Sequence, residues 1–505
     1  MPDYIRYDIN VSARCNAFNE MAYARQLLIP SKPLAPRLIV AVVLQRIAGE
    51  LALFAAVGFF LFSLDDLLVD IVFFTRSAWR RVTVYRRHAR NDAALFAFED
   101  IARKGGWMVV MIPALDEANV IAHMLRSTLD RFEYDHFTLL VGYYRNDPAT
   151  AAAIAEVRDP RVVAVCVPAD GPTSKADSLN HLYAAQVRIE AKRGESAKAV
   201  VLHDAEDLVH PAELRLFDRL IERAGVVQLP VVPLPDPASP WIGGHYCDEF
   251  AESHGKDLVV REAVGAAIPL AGVGCALGRA ALRRWAAAND GRPFVAGSMT
   301  EDYEAGLRIG ALGERTMFVR LPETLGRAGV VASRGHFPAT IATAVRQKAR
   351  WIGGIAFAGW DRLGWSGGLG ERWFRMRDRR GPLAALLMAA GYGAAILWVQ
   401  LWLSTLMGAP PPSPPSNALI ALLSVNGMLL TWRIGMRATF TAAAYGWREG
   451  LAAIPHVLIG NWIAMLAARR ALMRHLSRRP LTWDKTAHVF PAPNAVAVTR
   501  DGTRR

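Results

Sequence analysis

Two long apolar blocks, residues 38–74 and 383–468, enclose a stretch of ordinary globular composition between 75 and 380. No other feature constrains the fold as strongly, because about 20 consecutive apolar residues suffice for a helix to cross a bilayer. The pattern predicts a water-facing domain inserted between membrane segments, and 505 residues leave room for more than one structural unit. In the first block Arg46 and Glu50 push the span proper towards Leu51–Phe74. Asp65, Asp66 and Asp70 lie inside it or at its edge, where carboxylates are costly unless paired. In the second block Leu383–Met407 and Ala418–Trp432 flank the uncharged turn GAPPPSPPSN, a hairpin whose turn faces away from the cytoplasm. The last apolar stretch, Leu451–Ala468, contains Pro455, Gly460 and Asn461 and reads either as a span or as a re-entrant or interfacial segment. A full crossing there would put Arg469, Arg470, Arg474, Arg478 and Arg479 outside, against the positive-inside rule. The expected organisation is an N-terminal segment (1–46), a transmembrane helix (47–75), a cytoplasmic domain (76–382, with interfacial elements near 335–380), transmembrane or re-entrant helices (383–468) and a tail (469–505).

The formal charge of +13 suits either nucleic acid or an anionic membrane surface. The arginines gather beside the apolar blocks, at Arg76, Arg80, Arg81, Arg86 and Arg87 and again at Arg375–Arg380, and no zinc-finger spacing or RNP-like run accompanies them. That placement selects membrane lipid and excludes nucleic acid as a partner. Four cysteines without a CxxC pair argue against a disulfide framework or zinc site. The first residues, mostly polar from Asp3 to Lys32, do not read as a cleavable signal.

Within the globular stretch, apolar runs bounded by turn residues read as strands at Trp107–Ala114, Phe137–Tyr144, Arg161–Pro168 and Ala197–His203. Helical periods separate them at Ala118–Asp130, Pro148–Val157, Ser174–Lys192 and Pro211–Ala224, before an apolar run at Val226–Leu234. This alternation predicts an α/β domain whose mainly parallel sheet is covered by helices, with ligands outside the carboxyl ends of the strands. Polar clusters fall at those ends: Asp116 and Glu117 in IPALDE, Asn146 and Asp147 in NDPAT, Lys175 and Asp177 in SKADSLN, and Asp204, Glu206 and Asp207 in HDAED. Singly, each is as well explained as a helix cap. Three carboxylates within four residues repel one another unless a cation joins them, and oxygen donors of this kind suit Mg²⁺ or Mn²⁺ with substrate phosphates. Further on, Glu301 and Asp302 in TED offer a carboxylate able to take a proton from an attacking hydroxyl. Gln347, Arg350 and Trp351 in QKARW offer an amide, a cation and an indole.

In this order the motifs resemble those of the membrane-bound family-2 glycosyltransferases with a GT-A fold, over about residues 107–351, with QKARW fitting QxxRW. The flanking segments follow the layout of cellulose- and hyaluronan-synthase-like enzymes. GGHYCDEFAESHGKDLVVREA, YGWREGLAAIP and TWDKTAH bring the chain closer to inner-membrane glycosyltransferases of a bacteriophage-adsorption type. The resemblance implies an inverting, divalent-metal-dependent hexosyltransferase of the bacterial inner membrane. Its donor would be a nucleotide sugar, a UDP-sugar such as a UDP-N-acetylhexosamine in first place, and its acceptor a growing polysaccharide or a lipid-linked saccharide. By the same resemblance Glu117, Asp147, Lys175 and Asp177 serve the nucleotide, and Asp204 with Glu206 or Asp207 holds the metal. Asp302 beside Glu301 is the general base, and Gln347, Arg350 and Trp351 close the acceptor end. The family motif is DxD and this chain has DAED, so the second metal ligand stays open. Three or four spans are few for a polymer channel, so a dimer, or a periplasmic or outer-membrane export partner, is expected to complete the path.

Other classes fit less. No GxxxxGK[ST] occurs. GVGCALG has the wrong spacing and place for a dinucleotide fingerprint and reads as a tight turn. A glycosidase leaves SKAD and DAED unexplained. The non-enzymatic alternative is a membrane receptor or scaffold that retains the fold.

Overall fold

The computed structural model describes residues 36–99, 105–477 and 490–491; residues 1–35 and the TWDKTAH segment lie outside them. In chain order α1 (Pro36–Thr83) and α2 (Ala93–Glu99) precede β1 (Met108–Pro113), α3 (Ile121–Arg131), β2 (Phe137–Tyr144), α4 (Pro148–Ala155), β3 (Val162–Val167), α5 (Lys175–Arg193), β4 (Ala199–Leu202) and α6 (Glu213–Leu220). There follow β5 (Val226–Gln228), β6 (Val231–Pro233), α7 (Ile242–Glu252), α8 (Leu258–Ala263), β7 (Cys275–Gly278), α9 (Arg279–Ala287) and α10 (Glu301–Ala311). Then come β8 (Thr316–Phe318), β9 (Ser333–Gly335), α11 (Ile341–Ile352), α12 (Gly359–Leu363) and α13 (Leu369–Arg379). The last helices are α14 (Gly381–Thr405), α15 (Asn417–Tyr445) and α16 (Trp447–Leu476).

Seven strands form one sheet in the order β3-β2-β1-β4-β7-β5-β8. β1 to β4 are parallel, as right-handed β-α-β crossovers require, whereas β7 runs antiparallel to both β4 and β5. Along β1 the side chains alternate between two cores: Met108, Val110 and Ile112 pack with α3 and α6, and Val109 and Met111 with α5 and α9. The sheet is therefore covered on both faces, which is why its strands read as continuous apolar runs. The apolar run from Val226 is split at Pro230, which cannot donate to a ladder; β6 leaves the sheet and pairs with β9 instead.

α1, α14, α15 and α16 are each long and apolar enough to cross a membrane. Leu61, Ile396, Val399 and Met428 are more than half exposed, a surface that suits lipid far better than water. α1 runs unbroken past Arg46 and Glu50, and α15 continues beyond Trp432 to Tyr445. Among the described residues, those within 57–389 and 421–477 form one compact unit, and 36–56 with 390–420 a second. Within the second, the Gln45 amide donates to the Ser413 carbonyl (3.0 Å) and accepts from its N–H (3.3 Å), tying α1 to the Pro-rich turn.

The acidic cluster of α1 is fully paired. Asp65 accepts from Trp373 (2.6 Å) and pairs with Arg377 and Arg380, and Asp66 pairs with Arg377, Arg380 and Arg433. Asp70 accepts from Lys256 (2.6 Å) and Trp432 (2.8 Å). Glu252 joins Lys256, Arg433 and Arg437 to the same network.

Candidate active site

The carboxyl ends of β1, β2 and β4 carry the polar clusters seen in the sequence, and a cavity of about 440 Å³ opens beside β4. Lys175, Asp204, Glu206, Asp207, Glu301, Asp302, Gln347, Arg350 and Trp351 all line it. Glu117, Asp147 and Asp177 lie at the same sheet edge but do not line this cavity. Asp147 caps α4, accepting from the Thr150 N–H (3.1 Å) and from the Asp116 N–H (2.5 Å), so it ties the loops after β1 and β2 together. Glu117 is buried, its N–H donating to the Thr150 hydroxyl (2.9 Å), and Asp177 sits in the first turn of α5, 3.9 Å from His181.

Lys175 begins α5 behind the cap Ser174, and its ammonium pairs with Asp204. Burial alone would lower its pKa, but the carboxylates of Asp204, Glu301 and Asp302 outweigh this and hold it above the ordinary value. It is a fixed cation. The three carboxylates of HDAED are not equivalent. Asp207 accepts from His203 Nδ1 (2.9 Å) and from the Asp204 N–H (3.0 Å), while His203 Nε2 bonds Glu213 (2.6 Å), all within the core. Burial opposes charge on His203, yet the two flanking carboxylates push its pKa up to about 10. One carboxylate oxygen of Asp207 is thus engaged in shaping the turn, while Asp204, Glu206 and Asp207 all line the cavity. Among the described residues no three His, Cys, Asp or Glu side chains form a ready-made metal cage. Two carboxylates are nonetheless the usual protein share of a Mg²⁺ or Mn²⁺ site completed by substrate phosphates, so the donor set fits such an ion.

Glu301 and Asp302 open α10, where its N-terminal dipole favours negative charge. Burial raises both their pKa values, that of Glu301 to about 7 with the Asp302 charge contributing, while Lys175 opposes the rise in each. Gly272, with φ +78°, lies so close to the Asp302 carboxylate that a Cβ would overlap it. Only glycine fits there. Gly354 likewise lets the helical segment after α11 approach Thr300, which a Cβ would meet at 2.5 Å. On α11, Gln347, Arg350 and Trp351 stand at i, i+3 and i+4 and share the face that meets the cavity. Lys348 points the other way, pairs with Glu249 and lies over the Tyr246 ring (5.1 Å), fixing the helix against α7.

Residues 199–411 match the family described as Glycosyl transferase family group 2. The chain carries a family-2 glycosyltransferase domain. Its mainly parallel sheet is covered by helices on both faces. Bacteriophage adsorption protein B of Escherichia coli K12 is 35% identical over 475 residues, covering 88% of this chain and 62% of that protein. The same figures hold for Bacteriophage N4 adsorption protein B of Escherichia coli O157:H7, so the match spans less than two thirds of these relatives. Among solved structures, the mannosyltransferase PcManGT from Pyrobaculum calidifontis, in complex with GDP-Man and Mn²⁺, is 17% identical with a TM-score of 0.48. That alignment covers 86% of this chain and 99% of that one.

The cavity also holds residues that motif reading passed over. Phe250, Asp257, Arg261, His336 and Phe337 line it from α7, the turn after α7, α8 and the segment after β9. Their signal in the sequence is faint: a His within RGHFP just past a strand, and charged residues on what reads as an ordinary helix.

Proposed function

We propose that the protein transfers a sugar from a nucleotide sugar, a UDP-sugar in first place, to a saccharide or lipid-linked acceptor, with inversion, at the cytoplasmic face of the bacterial inner membrane. One observation carries this reading: a fixed cation, facing carboxylates, the Glu301–Asp302 carboxylate pair and the QxxRW face converge on one cavity. Lys175 and Arg350 supply positive charge for a diphosphate, and Asp147, Glu117 and Asp177 serve the nucleoside side. Asp204 and Glu206 would hold Mg²⁺ or Mn²⁺, whose charge offsets that of the departing diphosphate. Asp302 takes the proton of the acceptor hydroxyl as its oxygen bonds to the anomeric carbon. The bond from that carbon to the diphosphate oxygen breaks, the electron pair leaves with the nucleotide, and attack from the opposite face inverts the centre. Glu301, beside Asp302, tunes its charge. Trp351 offers a flat face to the sugar. The product passes to an export partner or a second copy of the chain.

The test is nucleotide diphosphate release by the detergent-purified chain across a panel of UDP- and GDP-sugars, with Mn²⁺, Mg²⁺ or EDTA. Release from one donor that EDTA abolishes and Asp302→Asn lowers by about 100-fold or more is expected. A folded protein that binds no nucleotide sugar would be a scaffold.

A further inference from the structure

Buried polar atoms almost always find a partner, so a cluster of exceptions calls for an explanation. Five such atoms line the cavity from four separate segments: Asp257 Oδ1, Arg261 Nη2, Thr300 Oγ1, His336 Nδ1 and Gln347 Oε1. Arg261 is itself 1% exposed. Its Nη1 is held by Asp378 (2.8 and 3.0 Å) and its Nε by the Ala267 carbonyl (2.6 Å), so the remaining nitrogen is fixed in place and unused. Asp257 ends a π-helical turn, Ser253–Asp257, between α7 and α8. Such a turn widens the helix by one residue and is frequent at functional sites. Here Ser253, His254 and Asp257 line the cavity, while Lys256 faces the membrane-side network. The Lys256 ammonium is 4.0 Å from Asp257 and already bonds Asp70 and Glu252. Rings accompany these polar atoms: Phe250 lies 4.7 Å from Phe337 and 6.4 Å from Trp351, centroid to centroid.

The set mixes a donor (Arg261), two acceptors (Asp257, Gln347) and two groups able to act either way, beside aromatic faces. A phosphate uses donors alone and would leave the acceptors Asp257 Oδ1 and Gln347 Oε1 without a partner. A sugar asks for this mixture, because each hydroxyl both gives and takes a hydrogen bond and each ring has an apolar face. We propose that Asp257 and Arg261 form a subsite for the acceptor saccharide, taking a sugar unit beyond the one that receives the transfer, so that the acceptor is an oligosaccharide and not a lipid phosphate. The inference rests on the glycosyl transfer proposed above.

The test uses the full chain in detergent, with the donor that the panel selects. Disaccharides of that same sugar, in each common linkage, are compared with the monosaccharide and with a polyprenyl phosphate as acceptors, and Asp257→Ala and Asp257→Asn are measured alongside the unaltered chain. At least one disaccharide is expected to accelerate nucleotide release saturably, where monosaccharide and polyprenyl phosphate do not. Asp257→Ala should raise the disaccharide KM by about tenfold more than the nucleotide-sugar KM, as loss of a charged hydrogen bond predicts. Asp257→Asn, which keeps an acceptor oxygen, should recover part of that loss and serve as the control for folding. Stimulation by polyprenyl phosphate alone, indifference to every disaccharide in a preparation that does release nucleotide, or equal shifts of the two KM values would overturn the subsite. No release from any nucleotide sugar would instead overturn the transfer reading itself.

Discussion

At the scale of single residues, two buried acid–base groups set the pH behaviour. Glu301 is raised from its ordinary 4.5 to about 7, first by burial and then by the Asp302 charge. Between those values the unfolded chain has lost the proton while the folded chain keeps it, so raising the pH through this window costs stability. His203, raised from 6.5 to about 10, adds stability that is complete below 6.5 and is lost as the pH rises through about 10. Melting temperatures are thus expected to fall from mildly acid to alkaline pH, with the fall above neutrality absent in His203→Gln. Replacing His203 also leaves Asp207 and Glu213 buried without their shared cation, at a cost of about 3–5 kcal/mol in chemical denaturation. Activity should run against stability. The rate rises through about pH 7 as the Glu301–Asp302 pair loses its proton, and Glu301→Gln should move that limb to lower pH. Much of this site was legible in the sequence, because the chemistry sits in short motifs at strand ends. The inequivalence of the HDAED carboxylates was not, since it depends on His203 bonding Asp207 four residues on and Glu213 ten residues on. Asp257 and Arg261 were hidden for a related reason: a π-helical turn, which no periodicity announces, decides which side chains meet the cavity.

At the scale of elements, the charged belt around α1 joins this apolar helix to the wall of the cavity. Asp65 and Asp66 hold Arg377 and Arg380 at the end of α13 and the start of α14, and between these arginines Asp378 holds both Arg261 and the Tyr303 hydroxyl (2.7 Å). Tyr303 follows Asp302 directly. Asp66→Leu leaves Arg377, Arg380 and Arg433 with too little negative charge in a buried place, which costs about 3–5 kcal/mol. A lower melting temperature in detergent and faster proteolysis around α13 are the expected readouts, with Asp66→Asn milder because it retains the hydrogen bonds. A melting temperature unchanged in Asp66→Leu would show the belt to be dispensable. The same belt explains why hydropathy alone stops α15 at Trp432: Arg433 and Arg437 look like a helix end in water, but Asp66 and Glu252 neutralise them and the helix runs on to Tyr445. Strand direction is equally silent in composition. GVGCALG reads as a turn, and Gly272 and Gly274, both with positive φ, do make one, yet Cys275–Gly278 then enters the sheet antiparallel between β4 and β5.

At the scale of the whole molecule, the open question in the sequence was whether its last apolar helix crosses the membrane. α16 has the length and composition to do so, but its small and polar residues repeat along one face. Ala453, His456, Gly460, Ile463, Ala467 and Ala471 are buried, whereas Leu458, Trp462 and Met473 are more than half exposed. The buried face packs on helices of the globular domain along its length. His456 bonds Asp248 (2.8 Å), Gly460 lies against His245, Ile463 meets Tyr246 and Ala344, and Ala467 and Ala471 meet Ala349. A helix packed along α7 and α11 in this way is expected to lie along the domain surface, with its end on the same side of the bilayer as that domain. We predict an interfacial helix, which would keep Arg469, Arg470 and Arg474 on the side of the globular domain, where the positive-inside rule wants them. The expected topology is three crossings, by α1, α14 and α15, with the end of α16 on the cytoplasmic side. A fluorescent protein that matures only in the cytoplasm, fused after Leu476, should fluoresce. A phosphatase active only outside, inserted in the uncharged 409–416 turn, should be active. Phosphatase activity from a fusion after Leu476 would mean that α16 crosses, and that its packing against α7 and α11 is not the arrangement in the membrane.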